Sequence, residues 1–556
     1  MENIYLESLN YKQIIELNKI YLNRKKKFVI YLNNFISAQD DLIGISPIFS
    51  RNIDLSRTYY YYCLLILIKQ INKNKKNIRI VTSNYILFKF LKKNVKQTYK
   101  LKVFYTGSKL NKIKYYFSNI LKFKRFFFII YFIFIELICK IKYSKSKFEF
   151  NKIKKTSDYI LVDTTLMNSS FINNKYQDRF YGNFIKKFKS QIVLTEENLL
   201  FSKSIKYLKL LENEKFMFLF KFNILNLLDY LIAFKNVCFL NLKNLNKFYN
   251  FNNINLKILI DNDIKNTFCN LNYFYGFLNF RYFLKLKKKN FEFKKIINWN
   301  ENQSADKGFV LGVNTFFPKS ELIGYSSAFV NYKFFFDRQP IIQEIKKNYV
   351  PKKMYLSSHK YFNDFKKFSK NKISLFKGPL FRFENLQNKK TKLNKNLKNI
   401  LVLLPIEKHE VKNIFNYIEM IPKNYKVSIK FHPNFSSYEV SKYKKIYPNF
   451  FYVNKSFYNL IEKNNIIVTN SSSTAIEAIL YGKQLISPVN SLFLISSPVI
   501  NFFKKKLYKL AFTPEDMNKI MKKIKYFSNK DLFLINESKH SLFNNKRNLT
   551  SFTYIK

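Results

Sequence analysis

Cysteine is scarce in this chain. The 556 residues include four, Cys63, Cys139, Cys238 and Cys269, far apart and in no C-x-x-C pair. That spacing points to neither a disulfide framework nor a zinc site and suits a reducing cytosol. Acidic residues are also few, 36 against 98 Lys plus Arg, for a formal charge of +62. So positive a field attracts anionic lipid surfaces, nucleic acids and phosphorylated metabolites without choosing among them. The lysines are spread over nearly every segment rather than gathered on one element, so no specific nucleic-acid partner is expected. Codon composition rich in A and T accounts for much of the bias toward Lys, Asn, Ile, Phe and Tyr.

Long apolar runs are missing too. The most apolar stretch, Phe126 to Cys139, has 14 residues and as a helix would reach about 21 Å, short of a hydrocarbon core of about 30 Å. Lys122, Lys124, Arg125, Lys140 and Lys142 flank it. The segment 122–142 therefore reads either as a helix dipping into one leaflet of an anionic membrane or as a buried core helix or strand. A second run, Phe216 to Phe234, holds Lys221 and Asp229 and reads as amphipathic core. Residues 1–10 lack the basic start and apolar run of a signal peptide, so a cytoplasmic protein is expected. No internal repeat is present.

What is abundant is apolar mass: 47% hydrophobic and 19% aromatic residues, with 62 Phe and 40 Tyr, enough for two to four packed domains. Residues 1–385 mix helical and strand-like segments. Residues 386–398 (LQNKKTKLNKNLK) lose apolar periodicity and read as a connector. From Asn399 to the end at 556 the pattern is regular: NILVLLP, a helix through Met420, KVSIKFHP, a helix after Ser437, FYV, a helix near Leu460, IIVT, a helix from Thr474, and QLISP. Short strands alternating with helices predict parallel βαβ units and a doubly wound, Rossmann-like sheet. Thr513-Pro514-Glu515-Asp516 predicts a helix start.

Ligands of such sheets bind at the carboxyl ends of the strands. Lys430 and His432, at the end of KVSIKF, alternate onto one face and suit a phosphate oxygen, the imidazole donating as charge develops on a leaving group. Ser471, Ser472, Ser473 and Thr474 lie between IIVT and a helix, where backbone N–H groups favour an anion. Thr474 and Glu477 also have the spacing of a capping box, so ordinary capping is the alternative.

The order K-x-H-P, then a Ser/Thr cluster opening a helix with E-A, resembles the carboxyl-terminal domain of GT-B glycosyltransferases of bacterial surface-polysaccharide synthesis. It looks closest to users of CMP-sugars, the bacterial sialyltransferases and Kdo transferases, and more distantly to CDP-glycerol glycerophosphotransferases. Trp299-Asn300-Glu301-Asn302-Gln303, Lys307-Gly308, Leu322-Ile323-Gly324-Tyr325 and Gly378-Pro379-Leu380-Phe381-Arg382-Phe383 resemble blocks of a surface carbohydrate biosynthesis family. The blocks span roughly residues 295 to 490.

The resemblance implies an α/β, GT-B-like chain of two Rossmann-like domains facing across a cleft. The amino-terminal domain would take a glycan or lipid-linked glycan acceptor, the carboxyl-terminal domain a nucleotide-sugar donor, CMP-activated by preference. His432, Ser472 and Ser473 would contact the nucleotide phosphate, supplemented by Lys430, and Glu477 would face the ribose. The product would enter capsule or lipopolysaccharide, with the chain peripheral on the inner face of the cytoplasmic membrane and needing neither metal nor cofactor.

The catalytic base is the weak point of the match. Asp40-Asp41-Leu42-Ile43-Gly44 imitates the family's acidic motif with two residues inserted. Glu301 is the preferred base and Asp163, after the strand-like YILV, another candidate; Gln303 and Arg382, in the resembling blocks, are secondary site candidates without an assigned role. Gly308, Gly312, Gly324 and Gly378 fall within or near the blocks and suggest positive φ or close ligand approach, with ordinary turns as the alternative. Two rivals are a metal-dependent transferase using the D-x-D of Asp261-Asn262-Asp263 and a non-catalytic basic protein that binds membrane surfaces or nucleic acid.

Overall fold

The computed structural model describes residues 2–74, 77–95, 101–116, 118–143, 159–214, 216–327, 329–387, 391 and 397–543. Three parallel sheets organise them. The first joins β1 (Glu2–Tyr5), β2 (Ile78–Thr82) and β3 (Leu101–Tyr105) in that order. Between β1 and β2 run α1 (Tyr11–Ser37) and α2 (Thr58–Asn74), and the crossover from β1 to a parallel neighbour requires such helices.

The second sheet is built from β4 (Ile160–Leu166), β5 (Ile192–Asn198), β6 (Met217–Phe218), β7 (Lys295–Trp299), β8 (Glu321–Ser326), β9 (Lys353–Leu356) and β10 (Ser374–Lys377). Its order is β10-β9-β8-β7-β4-β5-β6, all parallel. Helix α3 (Ser118–Lys142) precedes it, and α4 (Leu227–Cys238), α5 (Lys257–Thr267), α6 (Leu271–Lys288) and α7 (Ser304–Phe316) follow β6 and β7.

The third sheet contains β11 (Asn399–Leu403), β12 (Lys426–Lys430), β13 (Phe451–Tyr452), β14 (Ile466–Val468), β15 (Gln484–Pro488) and β16 (Tyr508–Ala511). The order β13-β12-β11-β14-β15-β16, again all parallel, is the Rossmann arrangement 3-2-1-4-5-6. Its strands read as continuous apolar runs because helices cover both faces: Ile400, Leu401, Val402, Ile466, Ile467 and Val468 are all fully buried. The connecting helices are α8 (Lys408–Ile418), α9 (Ser437–Ile446), α10 (Phe457–Lys463) and α11 (Thr474–Leu480). Helix α12 (Pro514–Lys523) starts on the capping box of Thr513 and Asp516, and α13 (Asn529–Phe543) closes the described chain, where Lys377 Nζ donates to the carbonyl of Ser541. The architecture is thus α/β with two Rossmann-like sheets, plus a small third sheet at the amino end.

Several expectations need correction. Phe216–Phe234 is not one amphipathic segment: it holds β6 and the start of α4, and both Lys221 and Asp229 are buried. The helix α3 is neither wholly core nor wholly exposed, because only one side of it packs. Gly308, Gly312, Gly324 and Gly378 have ordinary negative φ, positive φ among glycines falling on Gly182 and Gly482. Gly308 instead permits α6 and α7 to touch, since a Cβ there would lie 2.0 Å from the carbonyl oxygen of Gly276. Of the connector, 388–390 and 392–396 lie outside the described residues.

Candidate functional site

In each Rossmann-like sheet the chain reverses direction of winding beside its first strand, leaving a crevice at the carboxyl ends of β11 and β14 in one and of β4 and β7 in the other. Glu410, in the first turn of α8, occupies the first crevice. Its carboxylate accepts from the backbone N–H of Ser491 at 2.9 and 3.0 Å, from the Ser491 hydroxyl, and from Asn470 Nδ2 at 3.2 Å. One acid thereby ties together the start of α8, the tip of β14 and the loop after β15. Asn470 Oδ1 accepts in turn from the N–H of Ser471 at 2.7 Å.

Glu301 follows β7 at the second crevice and forms an ion pair with Arg338. Trp299 Nε1 also donates to Glu301, at 3.2 Å. Arg338 lies 3.6 Å from Asp337, whose Oδ2 accepts from Gln303 Nε2 at 3.2 Å. Burial works against the Arg338 charge, but Glu301 and Asp337 outweigh it and raise its pKa. Burial likewise raises Asp337, opposed by Arg338 and Arg51.

A cavity of about 170 Å³ lies between the first crevice and the segment after β8 of the second sheet, its walls including Asp54, Asp337, Arg338, Glu407, Glu410 and Ser471, and the Arg338–Glu301 pair connects it to the tip of β7. At Asp54 and Leu492 it meets a larger cavity of about 670 Å³, lined by Arg57, Tyr60, Tyr61 and Asn84 among others. His409 Nε2 stands 3.4 Å from Glu410 and 3.7 Å from Asp54, so the imidazole links the carboxyl-terminal sheet to the amino-terminal part of the chain. The hydrogen bond to Glu410 raises the His409 pKa, with partial burial opposing. Asp54 and Glu407 are raised by burial in the cleft walls and by neighbouring carboxylates, against the attraction of His409. Four carboxyl groups thus meet one guanidinium and one imidazole in a chain whose overall charge is +62.

Beneath this cleft a buried cluster fixes the loop carrying Asp54. Arg51 donates to both oxygens of Glu344 at 2.8 and 3.2 Å and to the carbonyls of Asp337 and Gln339, while Lys307 Nζ lies 2.6 Å from Glu344. Despite burial, these two cations hold the Glu344 carboxyl down at about 2.

The sequence-predicted residues fall into three groups. Ser471 lines the smaller cavity. Ser472, Ser473 and Thr474 are half-buried at the start of α11, where the Thr474 N–H donates to Ser472 Oγ at 3.3 Å and the two hydroxyls share a 2.7 Å bond. That replaces the expected Thr474–Glu477 capping box: Thr474 is already the first helical residue, and Glu477 is buried.

Lys430 and His432 stand at the tip of β12, which lies on the far side of β11 from β14. The tips of β12 and β14 are therefore two strand spacings apart, about 10 Å, and neither Lys430 nor His432 lines the two cavities. Burial lowers the Lys430 pKa, and His432 Nδ1 accepts from the N–H of Asn434 at 3.3 Å.

The third group is displaced from the cleft. Asp163 is within β4 rather than after it, buried, accepting from Asn298 Nδ2 at 2.7 Å, and burial raises its carboxyl well above the usual range. Asp40 and Asp41 are exposed and paired with Lys243 and Lys347. The D-x-D sits on helix α5: Asp263 accepts from Ser56 and Thr58, and Asp261 pairs with Lys257, so no strand-end pair of acids forms. No group of His, Cys, Asp and Glu suited to a metal occurs among the described residues. Arg382 lies in the turn Phe381–Phe383, its side chain outside the described residues.

Asp54, Arg338, His409, Glu410 and Ser491 escaped the sequence reading. One signal was available: His409-Glu410 opens the helix after the first strand of a doubly wound unit, the strand that borders the crevice.

No protein-family model and no curated protein matches the chain. Among solved structures it is similar to Anabaena HepE in complex with UDP and glucose, at 8% identity over 70% of this chain and 96% of that one, TM-score 0.41. It is also similar to CalG4, the calicheamicin glycosyltransferase, at 8% identity over 71% and 97%, TM-score 0.41. A third likeness is to an α,α-trehalose 6-phosphate synthase from Burkholderia multivorans, at 8% identity over 70% and 93%, TM-score 0.39.

Proposed function

We propose that the chain is a metal-independent, GT-B-type glycosyltransferase that moves a sugar from a nucleotide donor to a glycan of the bacterial surface. The observation that carries this reading is the pair of doubly wound sheets with a cavity between them, walled by Glu410 and Ser471 at the first crevice and by Asp337 and Arg338 from the segment after β8. In this reading the donor lies along the carboxyl edge of the third sheet, its phosphate near Ser472 and Ser473 and within reach of Lys430 and His432. A CMP-activated acidic sugar is the donor that the sequence blocks favour. Glu410 and Asn470 accept from and donate to sugar hydroxyls.

Asp54 replaces Glu301 as the proposed base. Glu301 is held in a close ion pair with Arg338, whereas Asp54 borders both cavities, its contact with His409 is longer at 3.7 Å, and burial raises its pKa and so its basicity. The acceptor oxygen bonds the anomeric carbon as its proton passes to Asp54, and the anomeric carbon–phosphate oxygen bond breaks with its electron pair leaving on the nucleotide. Glu301 then positions Arg338. A lipid-linked glycan acceptor would keep the protein peripheral at the inner face of the cytoplasmic membrane. No helix among the described residues is long and apolar enough to cross a membrane.

Thermal-shift measurements with CMP, CDP, UDP and GDP test the donor half of this reading. A nucleotide at about 100 times its Kd stabilises by about 2.7 kcal/mol. The reading expects one nucleotide to raise Tm, and a flat response to all four overturns it.

A further inference from the structure

The outer face of α3 carries large apolar side chains that are exposed among the described residues: Phe127 is 63% exposed, Phe134 59% and Ile141 84%. With Phe123 and Ile130 they recur at intervals of three, four and seven residues and so form one stripe. The opposite side, Ile129, Phe132, Ile133 and Cys139, is core. Helix α4 lies alongside, joined by the Phe126–Phe234 ring contact at 4.9 Å, the Tyr230–Glu136 hydrogen bond, and the bond from Lys140 Nζ to the carbonyl of Leu225. Leu227, Leu228 and Leu231 of α4 are about half exposed and widen the stripe into a patch.

Charge completes the surface. Lys124, Arg125 and Lys142 are exposed at the two ends of α3, and Lys235 is exposed on α4. Each helix has one acid, and each is buried: Glu136 on α3, and Asp229 on α4, where it pairs with Arg281. The solvent face of both helices therefore presents apolar and cationic groups and no carboxylate. A protein partner complementary to it would need an acidic rim around an apolar centre. A bilayer of anionic lipid supplies both in a plane, phosphates at headgroup level and acyl chains below.

We propose that the α3–α4 face is a membrane-docking surface that lies in the plane of an anionic phospholipid leaflet. Phe123, Phe127, Ile130, Phe134 and the α4 leucines enter the acyl boundary, while Lys124, Arg125, Lys142 and Lys235 meet the phosphates. The docking surface deepens the peripheral placement proposed above by naming its residues and lipid class. It does not depend on nucleotide binding, so the two readings fail separately.

The test is sedimentation of the purified full chain with vesicles of phosphatidylglycerol and phosphatidylcholine, against vesicles of phosphatidylcholine alone. Binding to the anionic vesicles is expected, with each basic residue at the surface worth about fivefold. Phe127→Glu with Phe134→Glu should lower partitioning about tenfold or more, and Lys124→Glu with Arg125→Glu should lower it comparably and make it less sensitive to salt. Both Phe positions are exposed, so Tm without lipid should be unchanged. If the double variant does not fold, Phe127→Trp provides the readout, its emission shifting to the blue only with anionic vesicles. Unchanged binding of the double variant, equal binding to phosphatidylcholine alone, no sedimentation, no emission shift, or a wild-type dimer that the double variant dissolves would each overturn the proposal, the last by assigning the face to a second copy.

Discussion

Replacing Glu344 with glutamine removes one buried negative charge and leaves Arg51 and Lys307 facing each other beneath the cleft. The size of the effect follows from the carboxyl itself. It titrates at about 2 against an ordinary 4.5, and at about 1.4 kcal/mol for each tenfold in proton affinity this gap corresponds to about 3 kcal/mol at neutral pH. Breaking one partner of a buried ion pair costs about 3–5 kcal/mol by independent measure, so the two figures agree. Because the folded value is depressed, the contribution is fully present above about pH 4.5 and disappears as pH falls toward 2.

Urea unfolding followed by the fluorescence of Trp299, the single tryptophan, reads this unit directly, because Trp299 ends β7 beside Glu301. With a slope of about 3 kcal/mol per molar urea, Glu344→Gln should lower the midpoint by about 1 M, and adding Lys307→Met should recover part of it by removing one stranded cation. A midpoint unchanged at pH 7, or a loss that persists undiminished at the lowest pH, would refute the assignment of this cluster as the pin of the Asp54 loop.

Other substitutions act on the cleft. Asp54→Asn should lower turnover by about 10²–10⁴-fold while nucleotide affinity is kept, as expected for loss of a base; a variant of wild-type activity removes Asp54 from that role. His432→Ala should lower turnover by about 10²–10³-fold with Tm unchanged, and unaltered turnover would confine His432 to the turn it makes with Asn434. His409→Gln should flatten the pH dependence of stability. The raised His409 value contributes stability that is complete below the ordinary 6.5 and is lost as pH rises through the elevated value. Partial exposure keeps this below about 1 kcal/mol, so the comparison is of Tm across pH 6 to 9, where identical profiles would contradict the pairing.

The carboxyl-terminal sheet was legible in the sequence because its strands are buried on both faces. Runs such as NILVLL and IIVT have no solvent side, and the intervening helices have short, clear amphipathic spacing. Strand β16, YKLA, was missed because Lys509 interrupts its apolar run and it lies at the sheet edge. Asp163 was misjudged because a buried acid within a strand ends the apolar run in sequence without ending the strand in space. The D-x-D failed for the opposite reason: Leu259 and Ile260 are buried helix residues, and a short apolar run does not distinguish strand from helix.

The site was only partly legible because its parts belong to distant segments. Asp54, Arg338 and Glu410 meet through tertiary packing, and nothing in the local sequence of any one of them foretells the other two. Ser471 was found by the rule that strand ends carry ligands, and the same rule applied to β11 would have found Glu410. His432 satisfied that rule on β12, but strand order, which local pattern does not encode, set it two strands from β14.

The central claim is that the nucleotide donor lies along the carboxyl edge of the third sheet and reaches into the cavity bordered by Ser471. Calorimetric titration of wild-type protein and Ser471→Tyr with the nucleotide that raises Tm tests it most directly, since a tyrosine ring fills much of a cavity of about 170 Å³. The account predicts saturable binding to the wild-type protein and a loss of affinity of at least about 100-fold in the variant, with Tm in the absence of nucleotide unchanged. Equal affinity in both proteins would contradict it and move the donor elsewhere.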